Sequence, residues 1–290
     1  MFIIASAMQK DFHNHATLEM LKNIPDMTWT PSIPDRFAGM SEESLRRMLL
    51  TKGKQAHFEK TTLVGAAPDA FSWLDASPEC MVVRDQDMCG SCWAFSTVGP
   101  FSDNRCFSMK DTKRVIYSEQ YMISCDSNNL GCNGGYLNMD LTIGQYFLKK
   151  TGVPTDKCVS YKSGSKGVTG TCPITCDDKS PIVLVKSTNF EDVCTNEESI
   201  KVGITLGSLQ TSITVYTDFM YYNGGIYQHK SGSVEGGLSV TFVGYGEENG
   251  VKFWVVRNAW GTSWGEKGYF RIIRGINDCD IENQCFLTSV

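Results

Sequence analysis

Apolar residues recur at helical spacing near the start of the chain. Between residues 10 and 23 they include Leu18 and Leu21, with His15 on the same face, and this spacing predicts a helix. Residues 30–34 read Thr-Pro-Ser-Ile-Pro. Because proline and the residue before it both disfavour helix, we expect this stretch to be extended.

A second helix is predicted directly after residue 40. Ser41 can cap its N-terminus, and the acidic residues of its first turn and the arginines of its later turns suit the helix dipole. Its apolar stripe comprises Leu45, Met48 and Leu49. Two helices of this size cannot bury their own stripes, so we expect them to dock on the rest of the protein. Residues 52–67 show no clear periodicity and are predicted to be a linker.

The pattern beyond residue 90 changes from helical to β-rich. A helix is predicted from Cys92 to about Phe107, another opens at Ser118, and a third covers residues 137–149. Short apolar runs after Pro181 predict strands, at residues 182–185, 238–243, 253–256 and 269–273. A helical half followed by a sheet half predicts an α+β fold with a site between the halves.

Composition and charge narrow the class of protein. Of the 290 residues, 41% are hydrophobic and 20% charged, which is typical of a globular protein. The formal net charge of −5 and the lack of a basic cluster argue against nucleic acid as a partner. The chain has no apolar run of about 18 residues or more, so no membrane span is predicted. Residues 1–7 resemble the end of a signal peptide, and we expect a truncated signal or an expression remnant there.

The twelve cysteines bear on the cell compartment. None falls within residues 8–65, and the chain has four histidines and no pair of Cys-x2-Cys units, so no metal site is expected. One interpretation is a cytosolic protein whose buried, reduced cysteines act as small hydrophobes. The interpretation that we favour is a disulfide framework made in the secretory pathway, for a lysosome-like or vacuolar compartment or for secretion.

Residues 86–95, with the sequence QDMCGSCWAF, carry the most specific motif of the chain. Four further motifs follow in order: SEQ before Cys125, GCNGG at residues 131–135, LSVTFVGYG at residues 238–246 and NAWGTSWG at residues 258–265. Together they resemble the papain-like cysteine peptidases, in particular the cathepsin B branch and its protist members. The resemblance runs from Pro68 to the C-terminus. It implies the papain-like fold, with a helical left domain, a β-rich right domain and an active-site cleft between them.

The resemblance also implies the domain boundaries, the binding partners and the disulfide pairs of the chain. Residues 8–66 are expected to be an inhibitory prosegment and residues 67–290 the peptidase domain. The implied partners are peptide or protein substrates, the chain's own prosegment and cystatin-like inhibitors, with the protein a monomer that needs no cofactor. We expect the prosegment to cover Cys92, with residues 30–34 and the linker 54–64 crossing the cleft. The implied disulfides are Cys80–Cys106, Cys89–Cys132, Cys125–Cys172 and Cys158–Cys176, with Cys92, Cys194, Cys279 and Cys285 left over.

Four residues take catalytic or supporting roles by this resemblance. Cys92 is the nucleophile, and its position at the start of a helix favours the thiolate that attacks the peptide. Gln86 offers its side-chain N–H to the oxyanion that forms on the scissile carbonyl, beside the backbone N–H of Cys92. Asn258 orients the catalytic histidine, and Trp260 shields that hydrogen bond and lines the primed side.

The substrate-binding residues are carried over in the same way. Gly134 and Gly135 leave backbone open for an extended substrate. Gln284 matches an acidic residue that admits arginine to the S2 pocket of cathepsin B, so apolar P2 side chains are expected. The region from Cys158 to Cys176 lacks the histidines of the cathepsin B occluding loop. This predicts endopeptidase action rather than removal of C-terminal dipeptides.

Leu238 departs from the family at the decisive position. It stands where these peptidases carry the catalytic histidine, and His229 is not expected to replace it. A thiol with a pKa of about 8.5 is only about 0.1% thiolate near pH 5.5, and deleting one member of such a catalytic unit costs roughly 10³- to 10⁶-fold in rate. Two milder departures are Ala259 in place of serine and Asp87 in place of glycine.

The sequence is compatible with two functions. The chain is either the precursor of a cathepsin B-like endopeptidase whose histidine has been replaced to stop self-processing, or a natural pseudoprotease that binds peptides or a partner. Retention of the other site residues and of a full prosegment favours the first. An inhibitor built from the prosegment fold is excluded, because the whole peptidase body is present.

Overall fold

A long buried helix packed against a long β-sheet organises the protein. The computed structural model describes residues 12–50, 59–134 and 139–290. The signal-like residues 1–7, part of the predicted linker and Gly135 lie outside these ranges. The long helix begins at Cys92, and the strand that packs against it contains Leu238. The fold is α+β, as predicted, and it brings both positions to the boundary between the helical and sheet halves.

The N-terminal segment, which we define as residues 12–50, forms two short helices and a strand. Helix α1 covers His15–Lys22, strand β1 Trp29–Pro31, a 3-10 turn Asp35–Phe37 and helix α2 Glu42–Arg47. Ser41 caps α2 as predicted, because its hydroxyl oxygen accepts a hydrogen bond from Ser44 N at 3.2 Å. Helix α2 ends before Met48 and Leu49, which are buried in the chain that follows it.

The stripe predicted for α1 is partly wrong. Leu18 and Leu21 are buried, but His15 is exposed. The buried imidazole is that of His13, two residues before the helix, and its Nε2 lies 2.8 Å from the Met220 carbonyl. Asn14 lies between the two histidines and caps the helix, which therefore begins at His15.

The helical half is built around a helix that is buried on all sides. Its elements are β2 Phe71–Ser72, α3 Trp73–Ala76, α4 Cys92–Met109, α5 Glu119–Cys125 and α6 Met139–Lys150. Helix α4 is the predicted helix from Cys92, and it ends at Lys110 in a left-handed conformation, with φ of 54°. Because neighbours cover every face of α4 from Cys92 to Asn104, its apolar and small residues need no amphipathic stripe there.

The sheet half follows in sequence. Its elements are β3 Asn189–Asp192, α7 Glu197–Leu206, β4 Leu209–Tyr216, β5 Tyr222–Tyr227, β6 Val234–Glu248, β7 Val251–Arg257, β8 Tyr269–Ile273 and β9 Cys285–Ser289. The strand order is β1-β5-β8-β7-β6-β4-β9-β3, with β2 also paired to β6. The N-terminal segment thus supplies an edge strand, because β1 pairs antiparallel with β5.

The strand predicted at residues 182–185 is wrong. These residues form a single bridge, between Val185 and Val153, and Val183 is 73% exposed. An apolar run becomes a strand when a neighbouring strand pairs with it along its length. Here one residue of the helical half, Val153, pairs with the run. By contrast, the predicted strands at 238–243, 253–256 and 269–273 lie within β6, β7 and β8.

The two halves are joined by a buried ion cluster and braced by disulfides. Arg257 Nη2 lies 2.6 Å from Asp103 Oδ2, and Arg114 Nε lies 2.9 Å from Asp103 Oδ1. Five disulfides occur in the described ranges: Cys80–Cys106, Cys89–Cys132, Cys125–Cys172, Cys158–Cys176 and Cys194–Cys285. The first four are the pairs that the family resemblance implies. The fifth joins two cysteines that had been left over. No helix within the described ranges is long and apolar enough to cross a membrane.

Candidate active site

Cys92 begins helix α4 and faces strand β6. Its side chain is fully buried, and its Sγ lies 3.4 Å from the backbone N of Ser239, which donates to it. The helix N-terminus provides a positive electrostatic potential at this sulfur, which favours a thiolate. Cys92 and Cys279 are the cysteines of the described ranges that lie outside the five disulfides.

Gln86 presents its side-chain amide to the same place. The side chain is fully buried, and Nε2 donates to the Cys89 carbonyl at 2.8 Å and to the Met48 carbonyl at 3.0 Å. Met48 belongs to the N-terminal segment. A backbone carbonyl of that segment therefore occupies the donor that the family resemblance assigns to the oxyanion of a substrate.

The N-terminal segment crosses the cleft between the two halves at the end of helix α2, through Arg47, a turn at Met48 and a β-bridge at Leu50, and not as extended chain as expected. Leu50 N donates to the Gly237 carbonyl at 2.7 Å, and Gly237 N donates to the Leu50 carbonyl at 2.8 Å. On the helical side, a Cβ added to Gly90 would lie 2.5 Å from the Arg47 carbonyl oxygen. The crossing chain is thus residues 47–50, and not residues 30–34 as expected from the sequence.

The prolines that suggested a crossing strand serve another purpose. Residues 29–31 are strand β1 at the edge of the sheet, where Pro31 needs no N–H because the ladder is short. Trp29 is buried there, and its indole Nε1 donates to the Gln228 carbonyl at 3.1 Å. The linker expected to cross at residues 54–64 lies partly outside the described ranges. Within them, Lys60 pairs with Asp192 on the far edge of the sheet.

Gly134, one of the two glycines predicted to bind substrate, lies against the same crossing chain. Gly134 has φ of +76°, and a Cβ there would lie 3.2 Å from the Leu49 carbonyl oxygen. Glycine therefore permits both the backbone conformation and the close approach of the turn that follows helix α2. Gln284 is buried behind the cleft, and its Oε1 has no hydrogen-bond partner within the described ranges.

Leu238 and Asn258 are the positions that the family resemblance assigns to the remaining catalytic pair. Leu238 is fully buried in β6, directly opposite Ile213 of β4. Asn258 is also buried; its Oδ1 accepts from Ala259 N at 2.7 Å, and its Nδ2 finds no partner in the described part of the chain. A leucine side chain neither accepts nor donates a proton, so this pair cannot supply general acid–base catalysis.

Trp260 forms the wall of the cleft next to Asn258. Its side chain is fully buried, with its ring edge-to-face on Trp264 at 5.0 Å and on Phe37 of the N-terminal segment at 5.1 Å. Such aromatic pairs stabilise the contact beyond simple burial. Trp260 is therefore covered by the N-terminal segment, as are Gln86 and Gly134.

His229 lies in a separate network, as expected. Its Nδ1 is 3.1 Å from Asp218 Oδ1, its backbone N donates to Asp278, and its ring stacks on Tyr216. Asp218 also accepts from the hydroxyl of Tyr227 at 2.6 Å. These bonds fix the loop after β5, so a structural role explains the placement of the His229 imidazole.

Two supporting residues of the Gln86 loop were not fully anticipated from the sequence. Tyr161 donates its hydroxyl to the Gln86 carbonyl at 2.6 Å, and burial raises the pKa of Tyr161, so the phenol remains a donor. Asp87 has φ of +50°, the left-handed region that explains why glycine is usual at this position. A tyrosine in an irregular loop carries no periodic signal, so Tyr161 could not be found by pattern.

Comparison with known proteins gives a consistent result. The sequence model of the papain family of cysteine proteases matches residues 67–289. Cathepsin B-like CP3 of Giardia intestinalis is 44% identical over 279 residues, covering 92% of each chain, and cathepsin B-like CP2 of the same organism is 42% identical, covering 93% of each. Procathepsin B S9 from Trypanosoma congolense superimposes with a TM-score of 0.88 at 25% identity, over 97% of this chain and 99% of that one.

Proposed function

The chain belongs to the papain family of cysteine proteases and to its cathepsin B-like branch. We propose that it is the proenzyme of a cathepsin B-like endopeptidase and that it is inactive with leucine at position 238. The observation that carries the proposal is the Met48 carbonyl on Gln86 Nε2, beside the buried Cys92. A backbone carbonyl at an oxyanion donor is what a bound peptide would present.

The proposal includes a division of the chain. Residues 8–66 are the inhibitory prosegment and residues 67–290 the peptidase, with the mature N-terminus near residues 66–68. In support, the described N-terminal segment covers Gln86, Gly134 and Trp260 and contributes strand β1 to the sheet. A segment that lies across the nucleophile excludes substrate by occupying its place.

The chemistry of the restored enzyme would be thiolate attack on a peptide carbonyl. A histidine at position 238 would take the proton of Cys92 and later give it to the leaving amine, while Gln86 and the Cys92 backbone N–H stabilise the oxyanion. Asn258 would orient the imidazole. With Leu238 in place, Cys92 has no base at that position, and self-processing is blocked.

The substrate would be cleaved internally, with an apolar side chain at P2. Gln284 is neutral, so it supplies no carboxylate for a P2 arginine. The disulfide loop closed by Cys158 and Cys176 contains no histidine to bind a C-terminal carboxylate. Both features favour endopeptidase action over the release of dipeptides.

The setting would be the secretory pathway, ending in a lysosome-like or vacuolar compartment or outside the cell. Five disulfides support this, because disulfides persist in oxidising compartments. Cystatin-like inhibitors would then compete with substrate for the mature cleft, and the protein would act as a monomer.

The second candidate is a natural pseudoprotease that binds a peptide or a partner. Leu238 favours it, since a fully buried leucine in β6 stabilises the sheet and the cleft keeps its shape without the catalytic base. On this alternative, restoring histidine would give no peptidase, and the prosegment would regulate binding rather than cleavage.

Restoring histidine at position 238 tests the proposal. We expect Leu238→His to self-process at acidic pH and to gain at least about 10³-fold in kcat/KM on fluorogenic peptides with apolar P2 residues. Leu238→Asn is the matched control, polar but without a base, and should stay inactive. Leu238→His combined with Cys92→Ala should also stay inactive. A Leu238→His protein that folds, as judged by circular dichroism, and cleaves no peptide would refute the proposal.

A further inference from the structure

Arg36 of the N-terminal segment places its guanidinium in the cleft beside Trp260. Its Nη1 donates to Asp85 Oδ2 and, at 2.8 Å, to the Trp260 carbonyl. The Arg36 side chain is 11% exposed, so the cation is largely withdrawn from water by these two acceptors. One carboxylate and one carbonyl of the peptidase half therefore bind a basic side chain that is supplied by the chain itself.

The two acceptors are held by the peptidase half. Asp85 Oδ1 accepts from Asp87 N at 2.7 Å, which fixes the carboxylate with Oδ2 directed at Arg36. Gly261 has φ of +73°, and a Cβ there would lie 2.6 Å from Asp85 Oδ2. Any side chain at position 261 would displace the carboxylate, so glycine keeps it in place. None of these contacts involves the N-terminal segment, and they persist once the segment leaves.

The position of this acceptor pair along the cleft can be read from neighbouring contacts. Asp85 precedes Gln86, which binds the Met48 carbonyl, and Asp85 bridges to Trp260 across the cleft floor. Gly134, where the acyl side of a substrate pairs, lies at Leu49 on the other side of Gln86. Because Asp85 adjoins Gln86 and pairs with Trp260, whereas Gly134 contacts Leu49, we infer that the acceptors lie on the leaving-group side of the scissile bond.

We propose that Asp85 and the Trp260 carbonyl form a subsite for an arginine or lysine side chain at P1′ or P2′ of the substrate. Arg36 fills this subsite in the zymogen. This inference rests on the proposed function, because it names the substrate class of that peptidase. Release of Arg36 leaves the Asp85 carboxylate and a carbonyl without a cation, and a basic substrate side chain restores both contacts.

A double-mutant cycle tests the recognition step without requiring activity. In the full chain, Arg36→Gln and Asp85→Asn should each raise the rate at which an alkylating agent labels Cys92, by about two- to fivefold, as expected for a partly exposed ion pair. The double variant should react no faster than the faster single variant. Peptide mapping separates Cys92 from Cys279. Asp75→Asn, an exposed aspartate without a described ion pair, is the control. Additive effects of the two substitutions would overturn the assigned contact.

Substrate selectivity tests the subsite itself. In the Leu238→His background, peptides that differ only at P1′ or P2′ should show a kcat/KM about three- to tenfold higher for arginine or lysine than for glutamine at one of these positions, and lower still for glutamate. Asp85→Asn should reduce the arginine-to-glutamine ratio to about one, whereas Asp75→Asn keeps it. Active enzyme whose ratio is unaffected by Asp85→Asn would overturn the subsite. Loss of all cleavage in the parent Leu238→His protein would instead count against the proposed function, and the cycle would still decide whether Asp85 recognises the guanidinium.

Discussion

At the level of single residues, the cleft contains the groups that we propose for catalysis except the base, because Leu238 carries no titratable group. Cys92 has the helix N-terminus, and Gln86 has its amide at the place of a scissile carbonyl. Asn258 keeps a buried Nδ2 that has no partner in the described ranges. An unsatisfied buried amide costs about 1–3 kcal/mol. Leu238 contributes hydrocarbon burial in place of the hydrogen bond that a histidine would make.

His13 is the residue whose protonation should weaken the attachment of the N-terminal segment. Its Nε2 carries the hydrogen that binds the Met220 carbonyl, and its Nδ1 is buried without a partner in the described part of the chain. Burial lowers the pKa of His13, with the hydrogen bond to Met220 opposing this effect. The neutral form is thus favoured in the folded state, while the unfolded chain binds a proton near pH 6.5.

The stability contributed by neutral His13 is therefore complete above about pH 6.5 and is lost as the pH falls toward its lowered pKa. Lowering the pH from about 7 to about 5 should reduce the melting temperature of the parent chain. We expect a smaller reduction in His13→Asn, because the variant lacks this titration. His15→Asn, at an exposed histidine, is the control and should follow the parent. Parallel pH profiles for the parent and His13→Asn would contradict the expectation.

At the level of elements, the crossing chain is held by backbone on both sides. Leu50 pairs with Gly237 through two hydrogen bonds, and glycines at positions 90, 134 and 236 allow the approach. The nearest atoms to a Cβ on Gly236 all belong to the N-terminal segment: Leu49 Cβ at 2.9 Å, the Leu50 carbonyl oxygen at 3.0 Å and Leu49 Cδ1 at 3.3 Å. A side chain there would disturb the segment before it disturbs the peptidase.

Gly236→Ala should therefore open the cleft selectively. Overpacking of this kind costs about 1–3 kcal/mol, which corresponds to roughly a five- to 150-fold rise in the labelling rate of Cys92 in the full chain. Gly65→Ala is the matched control, since its Cβ would meet Val202 at an ordinary 3.6 Å. Equal labelling rates of Cys92 in Gly236→Ala and in the parent chain would show that the N-terminal segment is not closely packed against β6 at this point.

The sequence pattern predicted elements well where one chain segment determines them. Helix α4 and strand β8 were predicted closely, because an apolar run and its flanking residues define them. The crossing chain was placed wrongly, since its position depends on glycines that are remote in sequence and meet residues 47–50 only in the folded protein. Within the site, the motif residues were identified by family resemblance. The guanidinium contact of Arg36 was not, because it joins two segments that share no pattern.

At the level of the whole molecule, a buried ion cluster determines how the helical and sheet halves meet. Asp103 of α4 binds Arg257 of β7 through both carboxylate oxygens and also faces Arg114. Both the Asp103 and Arg114 side chains are fully buried, and Arg257 is nearly so. The cluster lies beneath the cleft and fixes β7, which leads directly into Asn258.

Removing the carboxylate should destabilise the entire fold. We expect Asp103→Ala to lower the free energy of unfolding by about 3–5 kcal/mol, because two buried guanidinium groups lose their counter-charge. The measurement is thermal or denaturant unfolding of the full chain. Asp75→Ala, at an exposed aspartate for which the described residues provide no ion pair, should change stability by less than about 0.5 kcal/mol. Equal effects of the two substitutions would show that the cluster does not hold the halves together.

The disulfides have a further consequence for maturation. All five lie between Cys80 and Cys285, so no covalent cross-link ties the described N-terminal segment to the peptidase half. Before cleavage the segment is tethered, and its effective concentration at the cleft is of millimolar order. One cut near residue 66 would turn it into an independent peptide that dilutes into the surrounding volume. Activation would then be driven by dilution, and a crowded or enclosed compartment would retain inhibition longer than an open one.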